Sequence, residues 1–285
     1  MPFMSGSTTD ATSSASPVTD MNPRSFLVRG LLAGLVGGLL AFAVAYTVGE
    51  PQVDAAIKVE EAAAAHEATH ADKPPADGHT HEHDSDDEGT VVSRDTQSTW
   101  GLATGTLAVG ITLGGVVGLA SAFAAGRIGR LRPSQSTALV ALIGFVAVGL
   151  VPFLKYPATP PAVGDPDTIG ARTLEYFSML GISVLAAIGA VLLARRLLDS
   201  LGAYRTILAA SGGYLVVVIL AGLLMPTVNE IGDFPGDTLW SFRVASLLTI
   251  ATMWAGIGVV LTGLIGRLYE REASAAARRS LAASL

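Results

Sequence analysis

The sequence predicts an all-α fold, a polytopic membrane helix bundle of about six transmembrane helices, or five if the first apolar run is a cleaved signal. Three observations carry that prediction. Half of the 285 residues are hydrophobic. Only 15% are charged, too few for a soluble chain of this length. The charges lie between long apolar runs and almost never inside them, and about 20 residues at 1.5 Å each cross a hydrocarbon core of roughly 30 Å. Cysteine is absent, so disulfides and thiolate metal sites are excluded.

The elements follow in order. Residues 1–23, rich in Ser, Thr, Ala and Pro, read as a disordered cytoplasmic tail. Residues 24–48 hold Arg24, Arg29 and the first apolar run, the first span. A polar extracytoplasmic loop rich in His, Asp and Glu occupies 49–99. Residues 100–266 supply a five-helix bundle, with apolar runs at 100–126, 138–154, 176–194, 206–225 and 244–266. Outer connectors, Pro/Gly/Asp-rich at 155–175 and acidic at 226–238, join the third span to the fourth and the fifth to the sixth. Residues 267–285 form a basic cytoplasmic tail with four arginines.

Orientation follows from the bases. With the N-terminus in the cytoplasm, the inner segments hold twelve Lys and Arg and the outer ones six, as the positive-inside rule demands. An even span count returns the C-terminus to the same side, and the expected location is the bacterial plasma membrane. The first run admits a second reading. Arg24 and Arg29 suit a signal n-region, and Ala41-Phe42-Ala43 or Ala43-Val44-Ala45 suits a signal-peptidase site. The length of the run favours a retained span.

Glycines recur four apart at Gly30, Gly34 and Gly38 and at Gly110, Gly114 and Gly118. Small residues at that interval let helix backbones approach closely in lipid. No ionisable residue lies at mid-membrane depth, so no proton relay is visible.

Metal chemistry is concentrated on the outer side. All five histidines, His66, His70, His79, His81 and His83, fall within eighteen residues, interleaved with carboxylates. Imidazole with carboxylate and without thiolate suits borderline divalent ions. His66 and His70 are four apart in a stretch of helical composition and can share a face. His79, His81 and His83 alternate in a Gly/Asp-rich string suited to weak, exchangeable capture. The alternative is a solvated acidic linker. His66-Glu67-Ala68-Thr69-His70 also fits the zinc-protease pattern H-E-x-x-H. Its hydrophilic setting and the lack of a third histidine argue against that chemistry. With no phosphate-binding loop and no credible Ser/His/Asp set, the chain is expected not to be an enzyme. No tightly bound cofactor and no nucleic acid partner are expected.

Three outer segments look stiffer than linkers: Gly49-Glu50-Pro51-Gln52-Val53-Asp54, the connector at 155–175, and Val228-Asn229-Glu230-Ile231-Gly232-Asp233-Phe234-Pro235. Proline stiffens them, and Glu50, Asp54, Asp165, Asp167, Asn229, Glu230 and Asp233 offer oxygen ligands for a cation. The competing reading is a set of rigid caps in which Lys155 and Arg172 pair with Asp165 and Asp167.

These segments resemble the CbtA family, predicted cobalt transporter subunits of bacteria. The resemblance runs through Arg29-Gly30-Leu31-Leu32-Ala33-Gly34, Gly49-Glu50-Pro51, Val92-Ser93-Arg94, the proline-rich connector and Asn229-Glu230 to Arg243. It implies cobalt uptake tied to cobalamin synthesis beside a small one-span subunit similar to CbtB. It carries no established ligands. The expected function is a membrane transporter subunit for a divalent transition cation, Co2+ first, with Ni2+ or Zn2+ as alternatives. The other reading is a non-transporting membrane metal sensor or assembly scaffold, favoured by spans whose polar residues are mainly Thr and Ser.

Overall fold

A computed structural model describes residues 22–71, 93–128, 131–161 and 163–284. Among the described residues every regular element is a helix, without strands. Asn22 caps the first helix, its side chain accepting from the Arg24 N–H at 2.9 Å, and Pro23 follows where a missing N–H is harmless. Helix α1, Pro23–Val44, runs through a wide π-helical turn, Ala45–Gly49, into α2, Glu50–Ala71. The segment read as a loop from residue 49 therefore begins as a helix, with Ala56 fully buried. Short α3, Arg94–Thr96, passes through a second wide turn, Gln97–Gly101, into α4, Leu102–Ala124. Helix α5, Pro133–Gly144, a third wide turn, Phe145–Leu150, and α6, Val151–Lys155, form one continuous rod. Then come α7, Ile169–Leu224, and α8, Gly236–Ala283.

Five of these helical stretches are long and apolar enough to cross a membrane. The fourth makes two crossings. Gly202 leaves helical geometry, with φ 72° and ψ 169°, a conformation that favours glycine. Ser183 and Tyr214, 31 residues apart in sequence, share a hydrogen bond of 2.9 Å across the fold. In a straight helix they would stand about 46 Å apart. Helix α7 is thus a hairpin of two antiparallel arms, 169–201 and 203–224, and the bundle has six apolar crossings.

The core lies among α1, α4, α5 and α8. Trp254, Ile257, Leu261 and Ile265 of α8 are buried at near-helical spacing against Phe26, Ala33 and Ala41 of α1 and Ala141 of α5. The glycines read as packing residues meet as an antiparallel seam. A Cβ on Gly110 would stand 2.6 Å from the Gly34 oxygen, and one on Gly118 would stand 2.7 Å from the Phe26 oxygen. Gly144 and Gly149 make room for the Trp254 ring in the same way. Helix α1 is therefore central, with its most extensive contacts to α4 and then α8. Cleavage after Ala43 or Ala45 would strip both of their main partner. The α7 hairpin stands outside this core and touches it through α6 and the turn at 145–150.

Candidate functional site

Antiparallel packing brings the end of α1, the starts of α4, α7 and α8, and the end of α6 to one end of the bundle. Two groups of charged residues are built there. In the first, the wide turn Ala45–Gly49 delivers Glu50 and, one turn later, Asp54 on α2. Ser93 caps α3, accepting from the Thr96 N–H at 3.3 Å, and so starts the helix at Arg94. The Arg94 guanidinium pairs with Glu50 and, at 3.0 Å, with Asp54.

The second group locks the two outer connectors together. Lys155 donates to the Met225 carbonyl at 3.2 Å and the Tyr156 hydroxyl to the Pro226 carbonyl at 2.9 Å. The Asp165 side chain caps the short turn Pro166–Thr168, accepting from the Asp167 N–H at 2.9 Å. Glu230 reaches across and accepts from the Asp165 N–H and the Thr168 hydroxyl, both at 2.9 Å. Arg172 donates to the Asp165 carbonyl at 3.0 Å and stands 3.4 Å from the Glu230 carboxylate. The Asp165 N–H, then the Thr168 hydroxyl and the Arg172 charge, hold the Glu230 carboxyl below the usual range. Burial, with the nearby Glu175 charge, pushes the Tyr156 phenol up, so its hydroxyl remains a donor.

Of the residues predicted to meet a cation, Glu50 with Asp54, and Asp165 with Glu230, are brought together. Each set contains an arginine rather than a third carboxylate. Asp167, Asn229 and Asp233 stand exposed on the same connectors. Among the described residues no three His, Asp or Glu side chains are close enough to cage a metal ion. His66 is exposed on α2 and His70 lies on the same helix, while His79, His81 and His83 lie outside the described residues. The H-E-x-x-H residues thus lie on a helix, with His66 exposed rather than buried.

The competing reading of the connectors as rigid caps paired Lys155 and Arg172 with Asp165 and Asp167. Instead, Lys155 binds a backbone carbonyl beyond the fifth span, and Arg172 binds Glu230 and the Asp165 carbonyl. It gave Arg94 no role as a carboxylate partner. The available signal was the Ser93 cap, which starts a helix at a lone base after a long acidic stretch.

The family model described as probable cobalt transporter subunit (CbtA) matches residues 23–266. Among curated proteins and among solved structures, none matches the chain.

Proposed function

The chain belongs to the CbtA family and is a membrane transporter subunit, and from that premise we propose that it forms the permease for Co2+ uptake across the bacterial plasma membrane. Ni2+ or Zn2+ would be the nearest alternative cargoes. Both termini lie in the cytoplasm, and the connector end of the bundle faces out. The observation that carries the reading is the convergence of both connectors, Glu50 and Asp54 at one end of the bundle, with carboxylates held by contacts that bridge different spans. Glu50, Asp54, Asp165, Asp167, Asn229, Glu230 and Asp233 form the mouth.

An arriving divalent ion competes with Arg94 and Arg172 for their carboxylates. Neither arginine can neutralise itself by losing a proton, so ion binding must release it from its partner. Release of Arg172 loosens the clamp between the start of α7 and the 226–235 connector. Loaded and empty states then differ in contacts, and only such a difference shifts a conformational equilibrium. His66 and His70 on α2, with His79, His81 and His83 beyond it, concentrate the ion outside. Transport is completed beside a second subunit of the small one-span CbtB kind.

Cobalt accumulation in cells, with and without that partner, tests the proposal. Deleting residues 64–88 is expected to raise the half-saturating cobalt concentration and leave maximal uptake largely intact. Changing Asp165→Asn, Asp167→Asn and Glu230→Gln together is expected to cut maximal uptake with the protein still in the membrane. A harmless triple change, with the deletion abolishing uptake at saturating cobalt, would move the site to the histidines. No accumulation by the chain with its partner would leave the sensor or scaffold reading.

A further inference from the structure

At the end of the bundle opposite the connectors, a cavity of about 590 Å3 lies between α5 and the two arms of α7. It exists because both arms face α5 with small residues, among them Ala187, Ala190, Ala203 and Ala210, so hairpin and rod stand apart. Its lining is almost wholly apolar. Along each arm it extends over twelve residues, 187–198 and 203–214, about 17 Å of helix from first to last. That is roughly half of a hydrocarbon core, the depth of one leaflet. The inner limit is Tyr214, tied to Ser183. The other end is lined by Leu131, by Arg195 and Leu198 of the first arm and by Ala203 beyond the hairpin turn.

We propose that this cleft binds one anionic phospholipid, with an acyl chain between α5 and the α7 hairpin and the phosphate at Arg195, Arg196 and Arg205. An apolar cavity of this size within a bilayer does not hold water, because its walls offer too few polar partners. Hydrocarbon is the solvent at hand. A spanning helix, about 10 Å across and 30 Å long, has several times the volume and does not fit.

The charge at the mouth selects the headgroup. Arg195 lines the cleft, Arg196 follows it on the first arm and Arg205 precedes the lining Thr206 on the second; all three are exposed, and among the described residues none of them forms an ion pair. Asp199, also exposed there, pairs with none of them. Guanidinium groups bind phosphate with two parallel hydrogen bonds, and basic pockets between spans are suited to anionic headgroups. Thr206, which lines the cleft, is 2% exposed, and its Oγ1 has no hydrogen-bond partner. That hydroxyl lies next in sequence to Arg205, at the level of a lipid ester carbonyl. The hairpin makes few contacts with the core, so a lipid here would cement it to α5.

The test uses the purified full chain, stripped of lipid in detergent. Phosphatidylglycerol and phosphatidylcholine with identical acyl chains are added back, and bound lipid is counted by native mass spectrometry beside the apparent Tm. One phosphatidylglycerol is expected to stay bound and to raise the Tm, as any ligand of the folded state does. Phosphatidylcholine should do so much less. The combined Arg195→Gln, Arg196→Gln, Arg205→Gln variant changes only exposed side chains and should lose that preference about a hundredfold. Ala190→Phe with Ala210→Phe fills the cleft and should abolish retention of either lipid. Equal retention of both lipids by the native chain would overturn the proposal, as would an arginine variant that keeps the preference. So would an equal Tm rise from glycerol phosphate alone, which has a headgroup and no chain. A protein partner that displaces the lipid from the native chain would reassign the cleft and refute the inference.

Discussion

An alanine at Gly114 tests one of the closest approaches in the bundle. A Cβ there would stand 2.5 Å from the Gly34 Cα and 2.6 Å from the Gly34 nitrogen. Carbon atoms in contact sit about 3.5–4.0 Å apart. The obstruction is backbone and cannot rotate away, so α1 and α4 must separate by about 1 Å. A gap of that size forfeits about a quarter to a half of each dispersion contact it opens. In lipid, packing is the main attraction between spans, because lipid tails are as apolar as the helices they replace. Gly114→Ala is therefore expected to cost about 1–3 kcal/mol. By the scale of globular domains, each kcal/mol lowers the Tm by about 2–4 °C. The assay is the apparent Tm of the detergent-solubilised chain, read by fluorescence-detected size exclusion. Gly105→Ala on the same helix is the control, since a Cβ there meets nothing within 4 Å. Removing an interior glycine at that site should be neutral or stabilising by about 0.5–1 kcal/mol. Adding Gly34→Ala to Gly114→Ala should cost less than the sum, because the helices have already parted. Equal melting temperatures for the Gly114 and Gly105 variants would refute the seam.

Three further outcomes are expected. The Glu230 carboxyl titrates lower folded than unfolded, so its contribution is complete above the ordinary carboxylate range and is lost as pH falls through the lowered value. The wild-type Tm should drop in that acid window more steeply than that of Glu230→Gln, and parallel curves would exclude the linkage. Gly164 has φ 109°, and a Cβ there would stand 2.7 Å from the Arg172 guanidinium carbon. Gly164→Ala should cost at least about 1–2 kcal/mol and loosen the Arg172–Glu230 contact, detected as faster proteolysis of the 155–175 connector; unchanged cleavage would argue against this role for the glycine. A cysteine placed at Ala76 should react with an impermeant maleimide in intact cells, and labelling only after lysis would reverse the orientation.

Much of the fold was legible because its signals are local. Run length announces a span, and glycines four apart announce a close helix contact. The pairs at the connector end were less legible. Glu50, Asp54, Asp165 and Glu230 were singled out as oxygen donors, and their residue types allow that. Whether a carboxylate meets a metal or an arginine depends on what lies opposite. For Glu230 that is Thr168, 62 positions away, and for Glu50 it is Arg94, 44 positions away. No spacing rule along one helix reaches so far. The stretch around His66 and His70 was read as helical in composition, but its continuity with the first span through Glu50 was missed because its polarity reads as loop. Its alanines and glutamates propagate a helix already nucleated in the membrane.

The sequence by itself determined that the chain is a bundle of apolar helices, where its polar ends lie, and that glycines four apart would let helices touch. These follow from residue chemistry and the period of a helix. The tertiary structure decided which glycines meet, that α1 lies at the centre and that α7 folds back at Gly202. It also left a cleft between that hairpin and α5, and gave each carboxylate pair an arginine. The physical reason is the solvent. In lipid, a helix face that packs on protein and one that faces hydrocarbon are both apolar, so composition does not distinguish them. Only the shapes brought together by the fold, Gly34 against Gly110 or Ala190 set apart from Leu142, separate an interface from a gap.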